Sequence, residues 1–337
     1  MEYIEQIPQQ QKERRKQEIY RILPGKLRSI FEALSLRFEG LQEIRLRIGA
    51  PVLLRYLDRE YFLGATGGMD RDGRNAYHLS RAELQETVEY ISNYSLYAYE
   101  EELRQGYLTV RGGHRIGIGG KIILEKNHIK SIGHISCLNI RLAHEVIGCG
   151  KTLLPYLING SKVCHTLIVS PPCQGKTTLL RDLIRILSIG SSVLPGQNVG
   201  VVDERSEIAA CYQGQPQNNV GYRTDVLDIC PKVEGMMLLV RSMSPDVIAV
   251  DEIGSRADVE AIEYVMNSGV KLLATVHGDG MDDIKAKPVL GRLVQEKVFQ
   301  RYVVLGGREA GQIREVFDER GSLLVTGREL KGERVIC

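Results

Sequence analysis

Two rhythms of apolar and polar residues divide the chain near residue 150. In the first half, alternation dominates. From Glu43 to Gly49, Ile44, Leu46 and Ile48 fall on one face and Arg45 and Arg47 on the other, the period-two pattern of a half-buried strand. Ser80 and Glu83 have the spacing of a capping box, opening a helix with Leu84, Val88 and Ile91 on one side. Tyr94, Tyr97 and Tyr99 lead into a strand-rich stretch, 107–123, punctuated by Gly112-Gly113 and Gly119-Gly120. No helix follows those glycines, so they serve hairpin turns and bulges rather than a phosphate site. A further strand at 139–142 precedes Gly148-Cys149-Gly150, a hinge. Residues 1–40 read as a polar, helical N-terminal arm and 41–147 as a small α+β domain.

The second half, 151–337, alternates short unbroken apolar runs with segments of helical period. Strands are expected at 164–169, 199–202, 247–250, 272–275 and 302–305. Helices fit between them, from Lys176 to about Leu187 and from Arg256 to Asn267. Such alternation predicts an α/β domain with a mostly parallel, helix-covered sheet and right-handed crossovers. A β-hairpin, 312–317 with 323–325 around Asp318 to Gly321, and a basic tail close the chain.

Candidate chemistry gathers at the carboxyl ends of these strands, where ligands bind in open α/β sheets. After the first comes Ser170-Pro171-Pro172-Cys173-Gln174-Gly175-Lys176-Thr177-Thr178, the layout of a phosphate-binding loop running into a helix N-terminus. Lys176 is placed to reach the β- and γ-phosphates and Thr177 to bind Mg²⁺. Ser170 stands where the usual pattern has its first glycine. The 247–250 strand delivers Asp251 for the Mg²⁺ shell and Glu252 to orient or deprotonate the attacking water. An isolated Asp-Glu pair is more often a helix cap; beside a Gly-Lys-Thr loop it reads as catalytic. Asp251 lies 75 residues beyond Lys176, with a whole strand between. That spacing and the following glutamate point to a RecA-like P-loop ATPase core, and no guanine-reading Asn-Lys-x-Asp segment is present.

Three more segments end near the same crevice. Asp203 to Glu207 brings Glu204 and Arg205, read either as phosphate contacts or as a salt-bridged turn. Arg241 lies just ahead of the metal strand, as a phosphate contact or a surface residue. His277 closes Thr275-Val276-His277-Gly278 as a sensor of the γ-phosphate or of Glu252.

Composition narrows the classes. Lys and Arg total 44 against 42 Asp and Glu, a net charge of +2, so no global basic field argues for nucleic acid. There is no Trp and only five Phe to build a base-stacking platform. Seven cysteines without a C-x-x-C pair fit a reducing cytosol and argue against a zinc module. No apolar run approaches a membrane span, and the polar N-terminus is no secretory signal.

The order S-P-P-C-Q-G-K-T-T-L-L-R-D, D-E-R-S-E-I-A, R-S-M-S-P-D-V-I-A-V-D-E-I-G and A-T-V-H-G resembles the stage III sporulation protein AA family. E-I-R-L-R-I-G, Y-A-Y-E-E-E-L-R-Q-G-Y, G-G-H-R-I-G and N-I-R-L-A-H-E extend the resemblance over about residues 40–330. The family is similar to the traffic ATPases of type II and type IV secretion. The resemblance implies a cytosolic mother-cell ATPase, peripheral to a membrane complex, that powers a mother-cell-to-forespore channel in endospore formers. It implies ATP on Ser170 to Thr178, Mg²⁺ at Thr177 and Asp251, catalysis by Glu252 and a histidine segment at His277. It further implies a homo-hexamer, channel membrane proteins as partners, no transmembrane segment of its own, and Arg111, Arg115 and Arg141 as candidates for closing over the phosphates. Cys173-Gln174 departs from the glycine and small residue expected there, and a left-handed backbone at Cys173 would be strained. Two alternatives stay open: a nucleic-acid-dependent RecA-like ATPase, and an ATP-gated scaffold with little hydrolysis.

Overall fold

A computed structural model describes residues 9–94, 106–125, 128–307 and 311–330. Tyr97, Tyr99 and the glutamates after them, like the basic residues beyond 330, lie outside the described residues. The chain divides into two compact units at His144 and Glu145.

The first unit is built on an antiparallel sheet of seven strands. They are β1 (Leu41–Arg47), β2 (Leu53–Tyr56), β3 (Arg59–Leu63), β4 (Met69–Asp70), β5 (Tyr107–Val110), β6 (His114–Glu125) and β7 (His128–Arg141), in the spatial order β4-β3-β2-β1-β7-β6-β5. Alternation in β1 buries Ile44 and Leu46, and the cross-strand partners Ile140 and Ile116 continue that buried face. Gly112 and Gly113, at φ +87 and +76, turn β5 into β6, and the register slips between Gly119 and Lys121. Helices α1 (Gln9–Ile22), α2 (Gly25–Glu32) and α3 (Arg81–Ile91) complete the unit. Pro24 separates the first two, since it suits an N-cap and not a helix interior. The Ser80 hydroxyl accepts the Glu83 amide at 3.2 Å, and Glu83 accepts the Ser80 amide at 2.9 Å, so the capping box is formed.

The N-terminal segment departs from the expected arm. Ile19, Leu23, Leu27 and Phe31 are buried in one cluster with Ile44, Leu46, Leu84 and Val88. The mostly polar length of α1 hides the short apolar stretch at its end, Ile19, Tyr20 and Ile22 with Leu23, that packs it.

In the second unit, a short pair, β8 (Ile158–Asn159) and β9 (Lys162–Val163), precedes the main sheet. The main strands are β10 (Thr166–Ser170), β11 (Val199–Asp203), β12 (Thr224–Asp228), β13 (Val247–Val250), β14 (Lys271–His277), β15 (Arg301–Leu305), β16 (Ile313–Asp318) and β17 (Leu323–Thr326). Their spatial order is β12-β11-β13-β14-β10-β15-β16-β17. From β12 to β15 every neighbouring pair is parallel, and the β16–β17 hairpin adds two antiparallel pairs. All residues of β10, β11 and β13 are buried, as strands covered on both faces must be. Ile168 joins Leu179 and Leu183 of α4 (Lys176–Ile189) on one face. Leu167 and Val169 join Met236 of α5 (Lys232–Ser242) and Ile262 and Val265 of α6 (Arg256–Asn267) on the other. Strand β12 was not expected: Thr-Asp-Val-Leu-Asp is too polar to read as a strand, and it sits at the sheet edge, where polar residues are tolerated.

Candidate active site

Parallel pairing puts the carboxyl ends of β10, β14 and β13 side by side, with Ser170 opposite His277 and Val250 opposite Ala274. Whatever follows each strand therefore meets the others. After β10 the chain turns through Pro171 to Gly175 and enters α4 at Lys176, with Gly175 at φ +83 as its N-cap. The Ser170 hydroxyl is turned back onto the Pro171 carbonyl at 2.8 Å, so this buried side chain consumes its own polarity. Cys173 is exposed and lies at φ +61, the strained left-handed conformation. A non-glycine residue there costs roughly 1–2 kcal/mol. Gly311 donates its amide to the Gln174 carbonyl at 2.7 Å.

Lys176 is buried, and its Nζ lies 2.5 Å from Glu252 Oε1 and 3.4 Å from Asp251 Oδ1. The Thr177 hydroxyl donates to Asp251 Oδ2 at 2.8 Å. Glu252 also receives His277 Nε2 on Oε1 and Arg205 on Oε2, each at 2.9 Å. Burial is the largest influence on Glu252 and pushes its carboxyl up. The Lys176 hydrogen bond and charge, with Arg205 and His277, outweigh burial and hold it below its ordinary value of 4.5. Glu252 is thus an anion at neutral pH. Its backbone, at φ +56, is left-handed as well, a strain that persists only where surrounding contacts fix it.

Those contacts come largely from Thr275, a residue that the sequence reading passed over. Its hydroxyl accepts the Glu252 amide at 2.9 Å and donates to Asp251 Oδ1. A fully buried Thr between Leu272, Leu273, Ala274 and Val276 was the available signal, because a buried hydroxyl needs a partner. Arg205 is held by a second group. The buried Asp203 carboxylate accepts the amides of Glu207, Ile208 and Ala209 at 2.8, 3.0 and 2.8 Å. Burial raises its pKa despite those three bonds. Arg181 of α4 donates to the Glu207 and Ile208 carbonyls, both at 2.6 Å, closing the loop from the other side.

Glu204 and Arg241 make other contacts. Glu204 is bonded to Lys232 at 2.5 Å. Arg241 is exposed at the end of α5 and lies over the Tyr264 ring, 5.8 Å from its centroid. In the first unit, Arg115 and Arg141 are cross-strand partners. Arg115 stacks 3.9 Å over Tyr107, while Arg111 and Arg141 each stand 3.9 Å from a carboxylate, Glu18 and Glu43 respectively. A cleft of about 390 Å³ opens beside Glu252 and His277, walled further by Val276, Lys287, Pro288 and Leu290. Its walls include no residue of the Ser170–Thr178 segment.

The sequence profile of the family described as "Sporulation stage III, protein AA" matches residues 13–324. The chain belongs to that family. "Stage III sporulation protein AA" of Bacillus subtilis (strain 168) is 40% identical over 309 residues, 91% of this chain and 96% of that protein. Among solved structures, the pilus retraction motor PilT with bound ADP aligns at a TM-score of 0.53 and 14% identity, over 82% of this chain and 76% of that one. The ATPase DotB of Yersinia pseudotuberculosis aligns at 0.51 and 12% identity, over 79% and 71%. At such identities the likeness is one of fold. Among the described residues, no helix is long and apolar enough to cross a membrane.

Proposed function

We propose that this chain is a Mg²⁺-dependent ATPase with a RecA-like core of the secretion-ATPase type. The observation that carries the reading is the convergence of Lys176, Thr177, Asp251 and Glu252, from two segments distant in sequence, within hydrogen-bond reach of one another. A lysine and a hydroxyl at the start of a helix following a buried parallel strand suit a nucleoside triphosphate. Thr177 Oγ1 and the Asp251 carboxylate are hard oxygen donors 2.8 Å apart. They fit Mg²⁺, which takes few protein ligands and completes its shell with phosphates and water. Bound there, the ion would neutralise charge developing on the phosphates.

In this reading ATP takes over Lys176 as partner and Glu252 turns to the attacking water. The water oxygen forms the new bond to the γ-phosphorus as the bond to the β–γ bridging oxygen breaks. Glu252, held ionised by its cationic neighbours, accepts the water proton. Arg205 and His277 fix the carboxylate and so report its state to the rest of the unit. For the setting we propose, in keeping with a sporulation family, a hexamer powering a channel between mother cell and forespore, working on membrane partners from the cytosolic face. Phosphate release by the purified protein, lost in Lys176→Ala, tests the enzymatic half. ATP binding with no release in the unmodified protein would favour the scaffold reading instead.

A further inference from the structure

The connector into the second unit, Glu145-Val146-Ile147-Gly148-Cys149-Gly150, ends in the three residues Gly148-Cys149-Gly150 that read in sequence as a hinge. Two buried carboxylates fasten it instead. Asp182, only 2% exposed, lies on α4 six residues beyond Lys176. Its Oδ1 accepts the Gly148 amide at 3.0 Å and its Oδ2 the Gly150 amide at 2.7 Å, with Arg185 donating to Oδ1 at 2.9 Å. The chain runs close to α4 at Gly150, where a Cβ would stand 2.8 Å from the Leu183 side chain. At the other end of the connector, Glu145, 7% exposed, accepts the Asn219 amide at 2.6 Å.

From Asn219 the bonds continue inward. The Asn218 side chain donates to the Ile208 carbonyl at 3.0 Å, and its amide to the Ala209 carbonyl at 3.1 Å. Ile208 and Ala209 are the residues whose amides sit on Asp203, in the loop that presents Arg205 to Glu252. One fastening thus ends on the helix that begins at Lys176, the other on the loop that grips Glu252.

We infer that Glu145 and Asp182 are positioning residues, tying the connector to both halves of the hydrolysis site so that tension on the connector reaches Lys176 and Glu252. This inference rests on the ATPase reading. Contiguous hydrogen bonds are a physical route for such coupling, and coupling itself needs direct measurement.

The test compares Glu145→Ala with Glu145→Gln, whose amide oxygen still accepts the Asn219 amide. In the alanine variant of the full chain, kcat falls at least about fivefold while KM stays within about twofold. Deuterium uptake rises across 203–211 and not across 166–170. The glutamine variant recovers both. Asp182→Asn, isosteric but short of one acceptor, lowers kcat in the same way and serves should Glu145→Ala fail to fold. Unchanged uptake across 203–211 in Glu145→Ala, or a glutamine variant as impaired as the alanine one, overturns the inference. Absence of phosphate release by the unmodified protein defeats the ATPase reading instead, and the uptake comparison then decides the fastening by itself.

Discussion

Lys176 Nζ stands 2.5 Å from Glu252 Oε1, although the two are 76 positions apart in sequence. The same lysine cannot hold a phosphate and this carboxylate equally well, so in the proposed mechanism nucleotide binding and the release of Glu252 are one event. Replacing Lys176 with Ala removes the proposed phosphate contact and takes from Glu252 its lysine partner, leaving the Arg205 and His277 pairs. The expected outcome is loss of hydrolysis to background, with fluorescent-nucleotide affinity down at least about tenfold, the equivalent of about 1.4 kcal/mol. Affinity equal to that of the unmodified protein would remove Lys176 from the binding site.

Cys173 tests the loop's backbone. At φ +61 a glycine is unstrained. Cys173→Gly therefore trades roughly 1–2 kcal/mol of relieved strain against about 0.5–1 kcal/mol of extra chain entropy. Melting temperature and nucleotide affinity are expected to stay level or rise slightly. Cys173→Val adds a β-branch to a left-handed residue and is expected to weaken nucleotide binding about tenfold, on a strain cost near 1.4 kcal/mol. A valine variant that binds as the native protein does would show the loop free to leave that conformation.

Asp203 tests the support beneath Arg205. Asp203→Ala leaves three buried amides without their acceptor. The expected cost is about 2–4 kcal/mol, read as a lower urea midpoint. Hydrolysis by the folded fraction should fall with it, because the loop no longer presents Arg205. A variant of native stability would contradict the role given to this carboxylate.

His114 makes the first unit sensitive to acid. It is fully buried, and burial pushes its pKa down from 6.5 to about 3. The unfolded chain takes up the proton first, so this contribution to stability is whole above about pH 6.5 and declines as pH falls toward 3, by about 1.4 kcal/mol per unit. His114 Nδ1 accepts the Ala143 amide at 3.0 Å, a bond that the side-chain oxygen of asparagine can take over. Denaturation midpoints between pH 7.5 and 5 should fall less steeply for His114→Asn than for the native chain. Parallel slopes would exclude the histidine as the cause.

What the sequence disclosed follows from where the signals are local. Strand β13 and helix α6 were legible because an unbroken apolar run and a period-3.6 stripe have few other readings. The Ser80 capping box was legible for the same reason. Strand β12 was hidden, since an edge strand with no fully buried residue carries little apolar signal. The role of α1 was hidden too, its charged length outweighing one apolar run. In the site, residue types announced Lys176, Thr177, Asp251 and Glu252. Thr275, Asp203 and Arg181 act through backbone amides and carbonyls, which have no sequence signature. The left-handed backbone at Glu252 likewise arises from three-dimensional pairing with Thr275.

The most direct test of the proposed hydrolysis site is phosphate release and ATP retention by purified Glu252→Gln protein beside the native chain. Glutamine keeps the size of the side chain and a partner for Lys176 but has no carboxylate to accept the water proton. The account predicts that the variant retains bound ATP and releases no phosphate above background. Turnover at the native rate would contradict it.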